Sequence, residues 1–261
     1  MTALMAHGFI GLFLPLAVGI VLGLLGGGGS ILALPIFLYV FQVPTKPAVA
    51  MSLAVVGMSA FVGFLGHWRQ GTVSLRIALP FGAFAMLGAF VTARLAHLVP
   101  ERLQLGLFMA FALTAAVLML RDAARTPTRD APHGDVVPAF GSLLAAQALG
   151  VGVLTSLIGA GGGFVIVPAL VLLARVPVKV AVGSSLLIIT MNALSGFVGY
   201  MGSVPIDWPL VTGFTGVAAV GALAGTRLVR FVPQRRIKQG FAILILVLGA
   251  VVVARSLGLI G

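Results

Sequence analysis

Within the apolar stretches of this 261-residue chain, the uncharged polar side chains that are candidates for contact with a solute are Ser52, Ser59, Gln147, Thr155, Ser156, Ser184, Ser185, Thr190, Asn192 and Ser195. Their hydroxyls and amides can donate to an oxyanion. Two glycine tracts add backbone donors, Gly26-Gly27-Gly28-Gly29-Ser30 and Gly159-Ala160-Gly161-Gly162-Gly163, each followed five residues later by a proline, Pro35 and Pro168. Glycine costs about 1 kcal/mol per residue in a helix interior, so such a run ends a helix, and backbone broken at membrane depth persists only beside protein or water. Ser30 and Gly163 then stand at the starts of the following helices, where unpaired N–H groups and the positive end of the dipole favour an anion. Each proline lacks an N–H and leaves a carbonyl about four residues earlier open to a water or a cation. The expected solute contacts are Gly27, Gly28, Gly29, Ser30, Ser52, Gly161, Gly162, Gly163, Ser184, Ser185 and Asn192. Serine and threonine in membrane helices more often bond their own backbone, so Ser52 and Ser185 gain weight from occupying matching places in a repeat.

Other chemistry is excluded by what the chain lacks. With no cysteine there is no disulfide, thiolate metal site or thiol nucleophile. The five acidic residues, Glu101, Asp122, Asp130, Asp135 and Asp207, sit at segment ends or in a polar linker, so no carboxylate relay crosses the bilayer. The residues that membrane enzymes require do not occur together, and no cofactor or metal is expected. The glycine tracts lack the Lys-Ser/Thr ending of a nucleotide-binding loop. A net charge of +11 suggests nucleic acid at first sight, but the positives gather on one membrane face and fit orientation instead.

A composition 60% hydrophobic and 8% charged places the chain in a bilayer. Apolar runs fall near 8–25, 31–43, 48–66, 77–96, 103–120, 138–158, 164–176, 180–202, 208–229 and 239–258. The runs at 31–43 and 164–176 cover only about 20 Å of a hydrocarbon core of about 30 Å, so they read as half-helices or re-entrant arms. Residues 121–137 carry three arginines, three aspartates and two prolines and form the linker between a first transmembrane repeat, 1–120, and a second, 138–261. The first seven residues carry no lysine or arginine, and the first helix is expected to stay uncleaved.

Shifting the second half back by 133 residues (163 − 30) superimposes the tracts and their prolines. It also places Val43, Pro44, Lys46, Ser52, Gly63, Gly66, Gly88 and Arg94 on Val176, Pro177, Lys179, Ser185, Gly196, Gly199, Gly221 and Arg227. Shared apolar composition does not align prolines, glycines and cations at one spacing, so the halves are duplicates. Five segments per half place twelve of the sixteen lysines and arginines on one side and four on the other. Four segments per half divide the same residues six against ten, which orients little. The fold expected is an all-α polytopic membrane protein of two inverted repeats, about five helical segments each, with glycine-broken half-helices. The linker then lies in the cytoplasm and both termini outside.

The chain resembles the sulfite exporter TauE/SafE family of membrane anion transporters over nearly its whole length. The glycine tracts with their prolines carry the resemblance, together with Ala48–Leu53 (AVAMSL), Ala181–Leu186 (AVGSSL) and His67-Trp68-Arg69-Gln70-Gly71. It implies movement of small sulfur-containing or organic anions such as sulfite, sulfonates and related carboxylates. One departure is visible, since Tyr200-Met201-Gly202 stands where the first copy has His67-Trp68-Arg69. His67 and Arg69 read as loop anchors, Trp68 and Tyr200 as interfacial belt residues, and Lys46 and Lys179 as cations at opposite mouths. Inverted repeats with discontinuous helices are the architecture of secondary transporters, with solute bound where the broken segments meet. With the inside negative, one exiting anionic charge gains about 2.3 kcal/mol per 100 mV, so export or facilitated passage across an inner membrane needs no further coupling. A drug/metabolite-type carrier of a neutral solute and a non-transporting scaffold subunit are the alternative readings. The expected partners are a small anion and the lipid bilayer, without nucleic acid, and a homo-oligomer is compatible with the sequence.

Overall fold

The computed structural model describes residues 8–27, 29–100, 102–104, 106–107, 142–158, 163–172 and 176–233, with isolated positions between 110 and 117 and at 239 and 243. The linker 121–137, most of the runs at 103–120 and 239–258, and Gly28, Gly161 and Gly162 lie outside the described residues. Eight α-helices occur among those described: α1 (Gly8–Leu25), α2 (Ser30–Pro35), α3 (Thr45–Arg69), α4 (Leu75–Leu95), α5 (Ser142–Ile158), α6 (Gly163–Leu172), α7 (Val178–Tyr200) and α8 (Trp208–Leu228). No strand accompanies them among the described residues. Helices α3, α4, α7 and α8 are each long and apolar enough to cross a membrane, so the protein is an all-α polytopic membrane protein.

Local sequence explains the helix ends. Helix α1 stops at Gly26, whose φ of +70° suits glycine alone, and a Cβ there would stand 2.6 Å from Ser185 Oγ. Helices α3 and α7 start after Pro44 and Pro177, both extended, with ψ of 150° and 139°. Asp207 caps α8 by accepting from Leu210 N at 3.0 Å, with Pro209 in the first turn. The arm α2 continues through a π-helical turn, Ile36–Val40, and leaves through Val43 N donating to Phe37 O at 2.9 Å. Val176 N donates to Leu170 O at 3.0 Å, the same bond displaced by 133 residues.

The order of contacts fixes the direction of each helix. Gly63 of α3 meets Leu186 of α7, Gly196 meets Leu53, and Gly57 meets Leu194, so numbers rise along one helix as they fall along the other and the two run antiparallel. Gly19 and Gly23 of α1 meet Ala218 and Ala222 of α8, a parallel pair. In the other half Gly152 of α5 meets Ala85 of α4 and Gly88 meets Leu149, the contacts of Gly19 with Ala218 and of Gly221 with Leu16 displaced by 133 residues, so this pair is parallel too. Gly66 against Thr226 sets α3 parallel to α8, and Gly199 against Phe90 and Ala93 sets α7 parallel to α4. Hence α1, α3 and α8 point one way and α4, α5 and α7 the other, and every helix of this set runs opposite to its repeat counterpart. By position among the described residues, one end of the molecule collects Arg69, Arg76, Lys179, Arg227 and Arg230, the other Lys46, Arg94 and Arg102.

These crossings depend on missing side chains. A Cβ on Gly19 would stand 1.9 Å from Ala218 O, one on Gly152 2.0 Å from Ala85 O, and one on Gly221 2.4 Å from Leu16 O. Small residues let membrane helices approach to backbone contact, the main source of helix association where no water is displaced. Most residues of the antiparallel pair α3 and α7 are buried, whereas fewer than half of those in α4 and α8 are. Leu87 and Val220, repeat counterparts, are 60% and 63% exposed, the apolar exterior that lipid requires.

Candidate functional site

Helices α1 and α2 form a hairpin with the first glycine tract at its tip. Behind the tip the arm folds back so closely that a Cβ on Gly29 would lie 2.4 Å from both Leu22 N and Val18 O. The tip rests against Val182 and Ser185 in the second turn of α7, on the Arg69 side of the centre. Ser30 begins α2 and Gly163 begins α6, the helix starts that the sequence leads one to expect.

Three of the serines have partners in their own segment. Ser30 Oγ donates to Gly27 O at 2.6 Å. Ser52 Oγ donates to Val49 O and Ser185 Oγ to Val182 O, each at 2.8 Å, the same bond in both repeats. Ser184 Oγ accepts from Ser74 N at 2.8 Å and so anchors the loop after α3. Thr155 and Thr190 donate to the carbonyls four residues back, and Ser195 donates to Met86 O on α4 at 3.0 Å. Gln147 is half-buried.

Asn192 differs from all of these. Its Nδ2 and Oδ1 are buried without a hydrogen-bond partner, and so is Ser59 Oγ. The two residues are repeat counterparts (192 − 59 = 133) near the middles of α7 and α3, the antiparallel pair at the centre of the protein. Ser156 Oγ is a third orphan. It stands beside the same stretch of α7, since a Cβ on Gly196, one turn beyond Asn192, would lie 3.3 Å from it. Leaving a buried donor or acceptor unpaired costs about 1–3 kcal/mol, and four such atoms in one region call for a polar guest. One amide and two hydroxyls offer several donors and no formal charge, a set able to wrap an oxyanion and then release it.

His67 and Tyr200, counterparts of different chemistry, make the same long-range bond. His67 Nε2–H donates to Gly23 O at 3.0 Å, and Tyr200 O–H donates to Ser156 O at 3.1 Å. Gly23 and Ser156 are themselves counterparts, each three residues before a glycine tract. Both side chains are buried, so Tyr200 is a fastener inside the protein and not an interfacial belt residue, because its hydroxyl finds a carbonyl there. Trp68 is 47% exposed, as an interfacial residue should be. His67 is further held by Thr72, whose Oγ1 lies 2.8 Å from Nδ1. Sequence reasoning passed over this pair of fasteners, although the 133-residue offset already relates position 67 to 200 and 23 to 156.

A cavity of about 410 Å³ opens at the Arg69 end, lined by Arg69, Gln70, Thr72, Lys179 and Val229. Lys46 and Lys179 begin antiparallel helices and therefore mark opposite ends of the protein.

The profile of a family described as Sulfite exporter TauE/SafE matches residues 11–252. A "Probable membrane transporter protein" of Xylella fastidiosa is 34% identical over 246 residues, 92% of each chain. Probable membrane transporter proteins of Bacillus subtilis are similar as well: YunE at 30% identity over 90% of this chain and 93% of its own, and YdhB at 26% over 85% and 90%. No solved structure matches.

Proposed function

The chain belongs to the sulfite exporter TauE/SafE family and is a multi-pass membrane transporter, and from that premise we propose that it carries small anions such as sulfite, sulfonates or related organic anions. Solute rests between α3 and α7, donated to by Asn192, Ser59 and Ser156. The observation that carries this reading is the set of buried, unpartnered polar atoms at repeat-equivalent places on the two central helices. The first glycine hairpin bears on the site from the Arg69 side, and its repeat partner, the arm α6 that begins at Gly163, would bear on it from the Lys46 side.

The opposed directions of repeat-equivalent helices support inverted halves that alternate access by moving one against the other. The five cations at the Arg69 end against three at the Lys46 end, among the described residues, support a cytoplasmic Arg69 end in the inner membrane under the positive-inside rule. An inside-negative potential then drives anions outward, so the protein acts as an exporter or facilitator. The test is flux of radiolabelled sulfite, a sulfonate and a carboxylate in proteoliposomes. Saturable, mutually competitive anion flux above empty vesicles is expected. Flux of a neutral solute that anions do not inhibit, or no flux of any anion, rejects the reading.

A further inference from the structure

The cavity at the Arg69 end belongs to neither central helix crossing nor glycine tip, and its lining is chemically distinct from both. It holds two cations, an amide and a hydroxyl, and among the described residues no carboxylate lines it. Lys179 lies in the first turn of α7, whose preceding residue Pro177 provides no side-chain cap. The amides of Val178, Lys179 and Val180 therefore have no partner within the helix, and the positive end of a 23-residue helix adds to the two side-chain charges. The wall is also stiff. Gly71 turns the chain at φ +69°, Ser74 N is held by Ser184 Oγ at 2.8 Å, and a Cβ on Gly183 would lie 2.3 Å from Thr72 O. Gln70 Nε2 donates to Thr226 O at 2.9 Å, which leaves its second N–H for a ligand.

We propose that Arg69, Lys179, Gln70 and Thr72 form a loading site for a small oxyanion at this mouth only. The guanidinium fork and the ammonium supply charge, Gln70 and Thr72 supply neutral donors, and the pinned loop holds the set in place before the anion arrives. The site is one-sided because the repeat does not reproduce it. The positions matching Arg69, Gln70, Thr72 and Val229 are Gly202, Ser203, Pro205 and Ala96, and only Lys179 has a cationic counterpart, Lys46.

Its floor is tied to the first hairpin. Thr72 Oγ1 contacts His67 Nδ1, and His67 Nε2 holds Gly23 O, one turn before the glycine tip. Because His67 gives Nε2–H to Gly23 O, its Nδ1 accepts from the Thr72 hydroxyl at 2.8 Å, and an oxyanion that takes that hydroxyl proton as its own hydrogen bond withdraws it from the imidazole. Two side-chain bonds thus link occupancy of the mouth to the residue ahead of the break.

The place of this site in a transport cycle rests on the anion reading above, whereas its capacity to bind does not. In right-side-out and inside-out membrane vesicles carrying the full chain, the double variant Arg69→Gln, Lys179→Gln is expected to raise the half-saturating sulfite concentration on the Arg69 side by about tenfold or more, since charge-assisted contacts are lost. Maximal flux and half-saturation on the opposite side stay within about twofold of wild type. Equal changes on both sides, or none, overturn the proposal. Calorimetric titration of sulfite into the full chain in lipid nanodiscs decides the binding step by itself: saturable heat in the wild type that the double variant loses supports it, and equal binding by both refutes it. Vesicles that move no sulfite, with nanodiscs that still bind it at Arg69 and Lys179, would remove the transport reading and leave the loading site standing.

Discussion

The two halves hold their glycine breaks by the same carbonyl but with different side chains. In the first, an imidazole reaches Gly23 O and is itself held by Thr72 at the floor of a cationic cavity. In the second, a phenol reaches Ser156 O and has the buried Gln104 side chain as its other neighbour. Duplication preserved the mechanical element, a side chain near the end of a central helix gripping the residue three before the tract. It did not preserve what that side chain senses. One hairpin is tied to the cationic cavity and its counterpart is fastened by a phenol, and the loading site proposed above turns that difference into a preferred entrance.

The comparison is broken most severely at the helix crossings, where both halves are alike. Gly19→Val and Gly152→Val each drive a side chain into a backbone carbonyl about 2 Å away. Each should cost about 3 kcal/mol or more and abolish monodisperse protein in detergent, to a similar degree in both halves. Gly216→Ala, in open space on α8, serves as the control and should stabilise by a few tenths of a kcal/mol to about 1 kcal/mol. Thermal unfolding followed by fluorescence checks all three, and a well-folded Gly19→Val protein would contradict the packing described.

At the centre the halves differ in reach, an amide against a hydroxyl. Asn192→Leu should reduce anion flux by about 100-fold or more while leaving thermal stability equal or higher, because it removes two orphaned polar atoms at similar volume. Ser59→Ala should reduce flux by about tenfold. Loss of flux together with loss of folding would instead make Asn192 structural. The fasteners come next. His67→Phe leaves Gly23 O and Thr72 without their partner and should destabilise by about 1–3 kcal/mol, whereas Tyr200→Phe strands one carbonyl and should cost about 1 kcal/mol. Urea or thermal titration in detergent distinguishes them, and equal costs would remove the asymmetry. Smallest of all, Ser52→Ala and Ser185→Ala break a bond to their own helix and should change stability by under about 0.5 kcal/mol each in the same assay.

Much of the fold was legible because glycine and proline act locally. The run at 8–25 became α1, Ser30 and Gly163 begin their arms, and the 133-residue offset carried Leu75–Leu95 onto Trp208–Leu228 without adjustment. Opposed directions followed from the count of crossings and the side of each cation. The partner of each polar group was not legible, since apolar context gives a side chain's depth and says nothing of which carbonyl faces it. Ser52, Ser185 and Asn192 look alike in sequence, yet two are paired within a turn and the third is orphaned. Thr72 and Gln70 lie in a short loop with no periodicity, and only the folded chain brings them beside Lys179, more than 100 residues away.

The chain contains no cysteine, so a single introduced thiol reports its own site. Ser59→Cys and Asn192→Cys, made separately in the full chain and reconstituted in lipid, can be titrated with a small membrane-impermeant thiosulfonate applied from one side at a time, with and without sulfite. The account predicts labelling of both positions from either side and slower labelling when sulfite is present. Thiols that never react from either side, or that react at a rate sulfite does not alter, would show that no solute rests between the two central helices.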